Sequence, residues 1–346
     1  MKKLAALLLV LAVCLFALQG CAQNTAAGGT SGTASQNDES SFEKPSEKAE
    51  SLRVDPDNIK SNFYLTAELP NQVIYEGDGL VVKTLSMESR KTATDETVLG
   101  ATESKIASYV ALNVEIDNDC GRRITAKAYD ISVNGFMTND YSSSEWVDSG
   151  EHERDYFVLG TLNLFNLAGI EDIGSIEFTL EISDSDTWDV ISAEHVSLTT
   201  DIDDGNVQNI GGMADKEGST LFDEDGIRIV GLGMDRDGLY SPIGPGMMLY
   251  VENNTDQPIF LEAGNNATIN GKDYSAEEYE SWSYLSINRL TPGKRAYTSF
   301  SVLGTRLDDI GLRSMLGISD LKCAFIIRNA DTQDTIAETP MLAFGS

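Results

Sequence analysis

Few residues of this 346-residue chain are of types that do chemistry unaided: two histidines and four cysteines stand against 55 acidic residues. The chemistry to look for is therefore that of carboxylates. The densest run, Asp201-Ile202-Asp203-Asp204-Gly205-Asn206, offers the hard oxygen ligands that calcium takes, with Asp201, Asp203 and Asp204 as candidate ligands. Its spacing departs from the EF-hand loop, because the glycine falls one position early and position twelve is Gly212. At a net charge of −30 most acid clusters are simply solvated. Other reactive patterns are missing. No Gly-x-Ser-x-Gly elbow, Gly-x-Gly-x-x-Gly loop or Gly-Lys-Ser/Thr occurs, and His152 and His195 lie in polar surroundings without a partner motif. The expectation is a non-enzymatic protein. A second kind of candidate is aromatic. Tyr141 and Trp146 lie in the acidic stretch Asp140-Tyr141-Ser142-Ser143-Ser144-Glu145-Trp146, and Tyr274, Tyr279 and Trp282 lie in a similar stretch further on. Tyrosine and tryptophan suit recognition surfaces. The favoured expectation is that Trp146 and Trp282 anchor their loops into a core.

These residues sit in a chain with a marked N-terminal organisation. Met1-Lys2-Lys3 is positive, and Leu4–Leu18 is apolar but shorter than the ~20 residues a transmembrane helix needs. The run ends in Leu18-Gln19-Gly20-Cys21, which resembles a bacterial lipobox. That resemblance implies a signal peptide over 1–20, cleavage before Cys21, and acyl chains on Cys21 that hold the protein at the extracytoplasmic face of the cell membrane. Residues 21–55 are rich in Ser, Thr, Gly, Ala and Glu, with almost nothing to bury, and are expected to form a flexible tether. The acidic balance excludes a nucleic-acid binder, whose affinity for phosphates rests on Lys and Arg.

The body is one module written twice. Ile74-Tyr75-Glu76-Gly77-Asp78-Gly79-Leu80 matches Leu221-Phe222-Asp223-Glu224-Asp225-Gly226-Ile227 without a gap. Ile131-Ser132-Val133-Asn134-Gly135 matches Ala267-Thr268-Ile269-Asn270-Gly271, and Asp140-Tyr141-Ser142 is aligned with Asp273-Tyr274-Ser275. The modules are expected at 56–200 and 216–346, joined by 201–215. Their periodicity is two: Val110, Leu112, Val114 and Ile116 alternate with Tyr109, Ala111, Asn113 and Glu115, as in half-buried antiparallel strands. Asp-Gly and Asn-Gly pairs mark tight hairpins. The fold class expected is all-β, two tandem immunoglobulin-like β-sandwiches, each with one short helix, over Thr161–Leu167 and Arg306–Leu316. Cys120 and Cys323 occupy inequivalent repeat positions, and unpaired thiols are the favoured expectation over a bridge between modules.

Val251-Glu252-Asn253-Asn254, Ile269-Asn270-Gly271 and Pro292-Gly293-Lys294 together resemble the tandem immunoglobulin-like modules of many Gram-positive lipoproteins of unknown function. The first copy departs at Ser149-Gly150-Glu151, where the second has Pro-Gly-Lys. The resemblance implies a fold and brings no catalytic residue and no cofactor beyond the calcium considered above. The function class expected is recognition of a protein or glycan at the envelope. A structural spacer or accessory subunit of a membrane complex is the alternative. A small-ligand-binding lipoprotein is weaker, because such proteins are normally two-lobed α/β folds.

Overall fold

The structure, a computed structural model, describes residues 63, 65–98, 101–202, 218–235, 246–275, 283–285, 289–303, 307–308 and 311–345. The alternation of period two becomes strands β1 (Gln72–Gly77), β2 (Leu80–Val98), β3 (Ala101–Asn118), β4 (Ile124–Val133), β5 (Phe136–Ser143), β6 (Glu151–Thr161), β7 (Ser175–Asp184) and β8 (Val190–Thr199) in the first copy. The second copy follows with β9 (Ser219–Glu224), β10 (Ile227–Asp235), β11 (Gly246–Asn253), β12 (Ile259–Ile269), β13 (Lys272–Ser275), β14 (Ser283–Leu285), β15 (Arg295–Val302), β16 (Asp320–Asn329), β17 (Thr335–Glu338) and β18 (Leu342–Gly345). Helix α1 (Leu162–Ala168) starts where the Thr161 side chain accepts the Leu164 N–H, and stops at Gly169 in the left-handed conformation. In the second copy the corresponding stretch is helical at Leu307 and Asp308, with a 3-10 turn at Met315–Gly317.

The first copy pairs its strands in the order β1-β2-β3-β6 in one sheet and β8-β7-β4-β5 in the other. The second repeats this as β9-β10-β11-β15 and β13-β12-β16-β17. The crossover that lays β6 beside β3, after β4 and β5 have paired elsewhere, is the Greek-key connection of immunoglobulin-like sandwiches. The fold is thus all-β, a duplicated sandwich. Each core lies between its two sheets. Val82, Leu112, Val114, Phe157, Phe178 and Leu180 fill the first, and Ile229, Leu249, Phe300, Phe325 and Ile327 the second.

Two asparagines per copy explain the repeated motifs. Asn118, at the end of β3, is fully buried. Its Nδ2 donates to the carbonyls of Arg122 and Val147 at 2.9 Å each, and its Oδ1 accepts the Cys120 N–H. Asn253 does the same for Gln257, Leu290 and Thr255. Asn134 and Asn270 take φ of 49° and 51° ahead of Gly135 and Gly271, as a two-residue hairpin demands. Their side chains also bind the backbone that opens β7 and β16.

The two sandwiches are not beads on a string. Strand β5 of the first pairs in parallel with β15 of the second at Phe136 and Arg295, so one nine-stranded sheet runs through both. Phe136 stacks on Tyr297 at 6.1 Å between centroids and packs against Tyr250 at 6.4 Å, while the Arg295 guanidinium lies 4.7 Å from the Phe136 ring centre. Tyr250 is fully buried, and burial raises its hydroxyl well above the usual tyrosine range. Lys294 pairs with Glu177, and Arg289 with Asp130 at 3.0 Å, across the same joint. Strand β11 is accordingly buried on both faces. Met247, Leu249 and Val251 enter the second core, whereas Met248 and Tyr250 join the cluster that continues into the first.

A tail-to-head contact of this kind would propagate if both free ends carried the same chemistry. They do not. Register equates Tyr250, Arg295 and Tyr297 of the second copy with Glu115, His152 and Arg154 of the first, and Phe136 with Lys272. The aromatic joint therefore occurs once, and the matching outer face of the first copy is charged.

Candidate functional site

The outward row of β4 carries the chain's main exposed aromatic surface among the described residues. Ala126 and Ala128 point into the core, so Arg123, Lys127 and Tyr129 point out. Neighbouring segments bring a ring to each. Trp146 precedes Val147, whose bridge to Ile124 places the indole beside Arg123, with the guanidinium 5.5 Å from the ring centre. Trp188 comes from the β7–β8 turn, with the Lys127 ammonium 5.5 Å from its ring. Tyr141 lies opposite Tyr129 on β5, with ring centres 5.6 Å apart. From Arg123 to Tyr129 the row covers roughly 20 Å along one strand.

The rings are held yet open. Trp146 is 62% exposed, Trp188 63% and Tyr141 50%. Their supporting cations are themselves anchored: Arg123 Nε to Asp148 at 2.5 Å, and Lys127 to Glu181 at 3.3 Å and to the Ser183 hydroxyl at 3.4 Å. The Asp148 bond raises the Arg123 guanidinium pKa further, so it stays charged throughout. The Trp188 turn is built on Asp184. Its backbone binds Asp189 and Trp188, and its carboxylate accepts the N–H groups of Asp186 and Thr187. The Thr187 and Asp186 amides hold that carboxyl below its ordinary range. Around the rings stand Glu145, Asp148, Asp155, Asp186 and Asp189, so the rim is acidic.

The second copy shows that this row is not required by the fold. Its β16–β17 turn is built identically on Asn329, with Gln333 at φ 66° where Trp188 has φ 64°. The left-handed conformation disfavours any side chain by about 1–2 kcal/mol, and a bulky ring has no local reason to be there. The bridge of Ile259 to Leu290 puts Arg289 where the first copy has Trp146. Glu262 and Gly264 stand in the places of Lys127 and Tyr129.

The residues singled out in the sequence fare differently. Tyr141 and Trp146 lie on this face. The favoured expectation that Trp146 anchors its loop is overturned, because Val147, 2% exposed, is the anchor and the indole points out. Tyr274 packs against the second core and is no surface residue of this kind. Its alignment with Tyr141 also fails. Counted from the paired Asn-Gly turns, Tyr274 answers Thr138, and an offset of three residues reverses the face. Asp201 belongs to the first sandwich, where its Oδ1 accepts the Glu68 N–H at 2.7 Å. Cys21, Asp203, Asp204, Tyr279 and Trp282 lie outside the described residues. Cys120 and Cys323 are free thiols in different sandwiches; Cys323 is buried in β16, which pushes its pKa up to about 12. Trp188, Tyr129 and Lys127 were missed, because strand parity alone does not say which of two sheets leaves a face uncovered.

A second cluster was also missed. Glu115, Asp117 and His152 converge on the outer face of β3 and β6, with ligand-type atoms within 4.8 Å of one another. Lys83 lies 3.0 Å from Asp117, and Arg154 lies 3.2 Å from Glu115. His152 turns Nδ1 to Asp117 and Nε2 to Glu115, the latter at 3.3 Å. Both nitrogens facing carboxylates is the arrangement of a protonated imidazole, and the cluster is an ion-pair lattice. Asp117 first, then Glu115, raises the His152 pKa above its ordinary 6.5. A raised folded-state pKa gives stability that is present below the unfolded value and lost as pH rises through the folded one. The imidazole is therefore expected to titrate above 6.5 by NMR. His152→Asn should lower the melting temperature more at about pH 6 than at about pH 9. Equal losses at both would contradict the clasp.

No known family matches this chain, and no curated protein does. Among solved structures it is similar to chicken MD-1 complexed with lipid IVa, at 12% identity and a TM-score of 0.16, over 39% of this chain and 100% of that one. It is also similar to the exo-β-D-glucosaminidase CsxA, at 10% identity and a TM-score of 0.18, over 67% of this chain. The chain spans only 25% of the glucosaminidase. At these scores neither likeness carries an argument about fold or activity.

Proposed function

We propose that this chain is a lipid-anchored, extracytoplasmic recognition protein that binds its ligand on the outward face of the first sandwich. The supporting observation is the pair of tryptophans at positions where the second copy, on the same backbone, carries Arg289 and Gln333. Side chains that the fold does not need, held open to water over fixed cations, are placed for contact with something else. The Leu18-Gln19-Gly20-Cys21 sequence and the polar tether support a position at the membrane surface.

The test is in-cell crosslinking of the full-length chain carrying a photoreactive diazirine in place of Val190, an exposed residue just after the Trp188 turn. Wild-type rings should give a discrete captured product. Trp146→Arg with Trp188→Gln, the residues of the second copy, should reduce capture at least about tenfold while leaving the melting temperature unchanged. Undiminished capture by the double variant would overturn the proposal, as would no capture by the wild type.

A further inference from the structure

We infer that the ligand of the β4 row is a neutral polysaccharide chain; this rests on the recognition role proposed above and narrows it to one chemistry. Three features of the row point that way. The first is shape. The rings stand on both sides of β4, Trp146 toward β5 and Trp188 toward β7, with the Tyr129–Tyr141 pair further along the strand. An open track bordered by rings matches an extended chain laid along β4. A folded protein partner would ask for a broad patch with a desolvated centre.

The second feature is the ring faces. Lys127 and Arg123 each lie over an indole at 5.5 Å. Each cation fixes its ring from one side, and the exposure of Trp146 and Trp188 leaves ring surface for a ligand. The face of an aromatic ring is its negative pole, and it receives polarised C–H bonds such as those on the apolar face of a pyranose. Trp146 and Trp188 flank β4 from opposite sides, since Val147, Ile124 and Asp184 are neighbours across three adjacent strand positions. The two rings therefore border the track from either side, and the Tyr129–Tyr141 pair meets the same chain further along β4.

The third feature is charge. The cations of the row are already paired with Asp148 and Glu181, and the rim holds Glu145, Asp155, Asp186 and Asp189 besides. In a chain of net charge −30 this field repels polyanions, whether phosphate- or uronate-bearing. Carboxylates at the rim are strong acceptors for hydroxyl groups, which a neutral glycan supplies in abundance.

The experiment examines what the diazirine at position 190 captures. A polysaccharide is expected to yield monosaccharides on acid hydrolysis of the captured product, and Trp146→Arg with Trp188→Gln should cut that yield at least about tenfold. The captured material should also pass an anion exchanger once released from the protein. A captured product that yields a polypeptide or a lipid in place of sugars would overturn the polysaccharide assignment and leave the recognition role standing. Retention on the exchanger would overturn neutrality alone. Capture insensitive to Trp146→Arg with Trp188→Gln would remove both readings together.

Discussion

Replacing Asn118 with alanine is expected to destabilise the protein by about 3 kcal/mol or more, although the side chain is small and polar. The amide group closes three backbone hydrogen bonds inside the first sandwich: to the carbonyls of Arg122 and Val147 and from the N–H of Cys120. Alanine takes the side-chain partner from the Arg122 carbonyl and the Cys120 N–H, at about 1–3 kcal/mol each, while the Val147 carbonyl keeps the Ile124 N–H. Asn118→Asp should be at least as damaging, because a carboxylate would face the two carbonyls that the amide now serves. Asn253→Ala should behave alike, since it closes the same loop in the second copy. Urea unfolding of the full chain measures the loss. A change under about 1 kcal/mol would mean that water replaces the amide and the loop does not depend on it.

Phe136→Ala is expected to lose about 3–5 kcal/mol, the usual range for removing a fully buried aromatic ring. More informative than the size is the shape of the transition. Among the described residues the parallel backbone link between the sandwiches is a single pair, with the Arg295 N–H donating to the Gly135 carbonyl at 3.2 Å. Phe136 supplies the packing around it, touching Tyr250 and Tyr297 and lying under Arg295. Without the ring, each sandwich keeps its own core but loses much of its coupling to the other. Calorimetry of the variant should show two transitions where the wild type shows one. A single transition, merely displaced to lower temperature, would place the coupling in Met137, which packs into the second core, and in the ion pairs Lys294–Glu177 and Arg289–Asp130 instead.

Much of this architecture was legible in the sequence for a local reason. Alternation of period two, as in Tyr109 to Ile116, sorts side chains onto two faces of a strand whatever the neighbours are. Asn134-Gly135 and Asn270-Gly271 fix hairpins through their own backbone preferences. Thr161 and Gly169 bound a helix by capping it. The duplication follows because two copies of such local instructions produce two copies of one strand order.

The site depended on what local instructions do not contain. The stretch containing Tyr141 resembles the one containing Tyr274, but register counted from the turn puts the two on opposite faces, one open and one against a core. Trp146 looked like an anchor and is a surface ring, because the bridge to Ile124 was made by Val147. The sequence by itself determined two β-sandwiches, their turns and their acidic surface. Only the tertiary structure decided that one joint buries Tyr250 and Tyr297 while the corresponding Glu115 and Arg154 stay in water, and that β4 gathers rings from two separate segments. The physical reason is that alternation sets the parity of a side chain, whereas its exposure is set by which sheet, from how far along the chain, comes to cover that face.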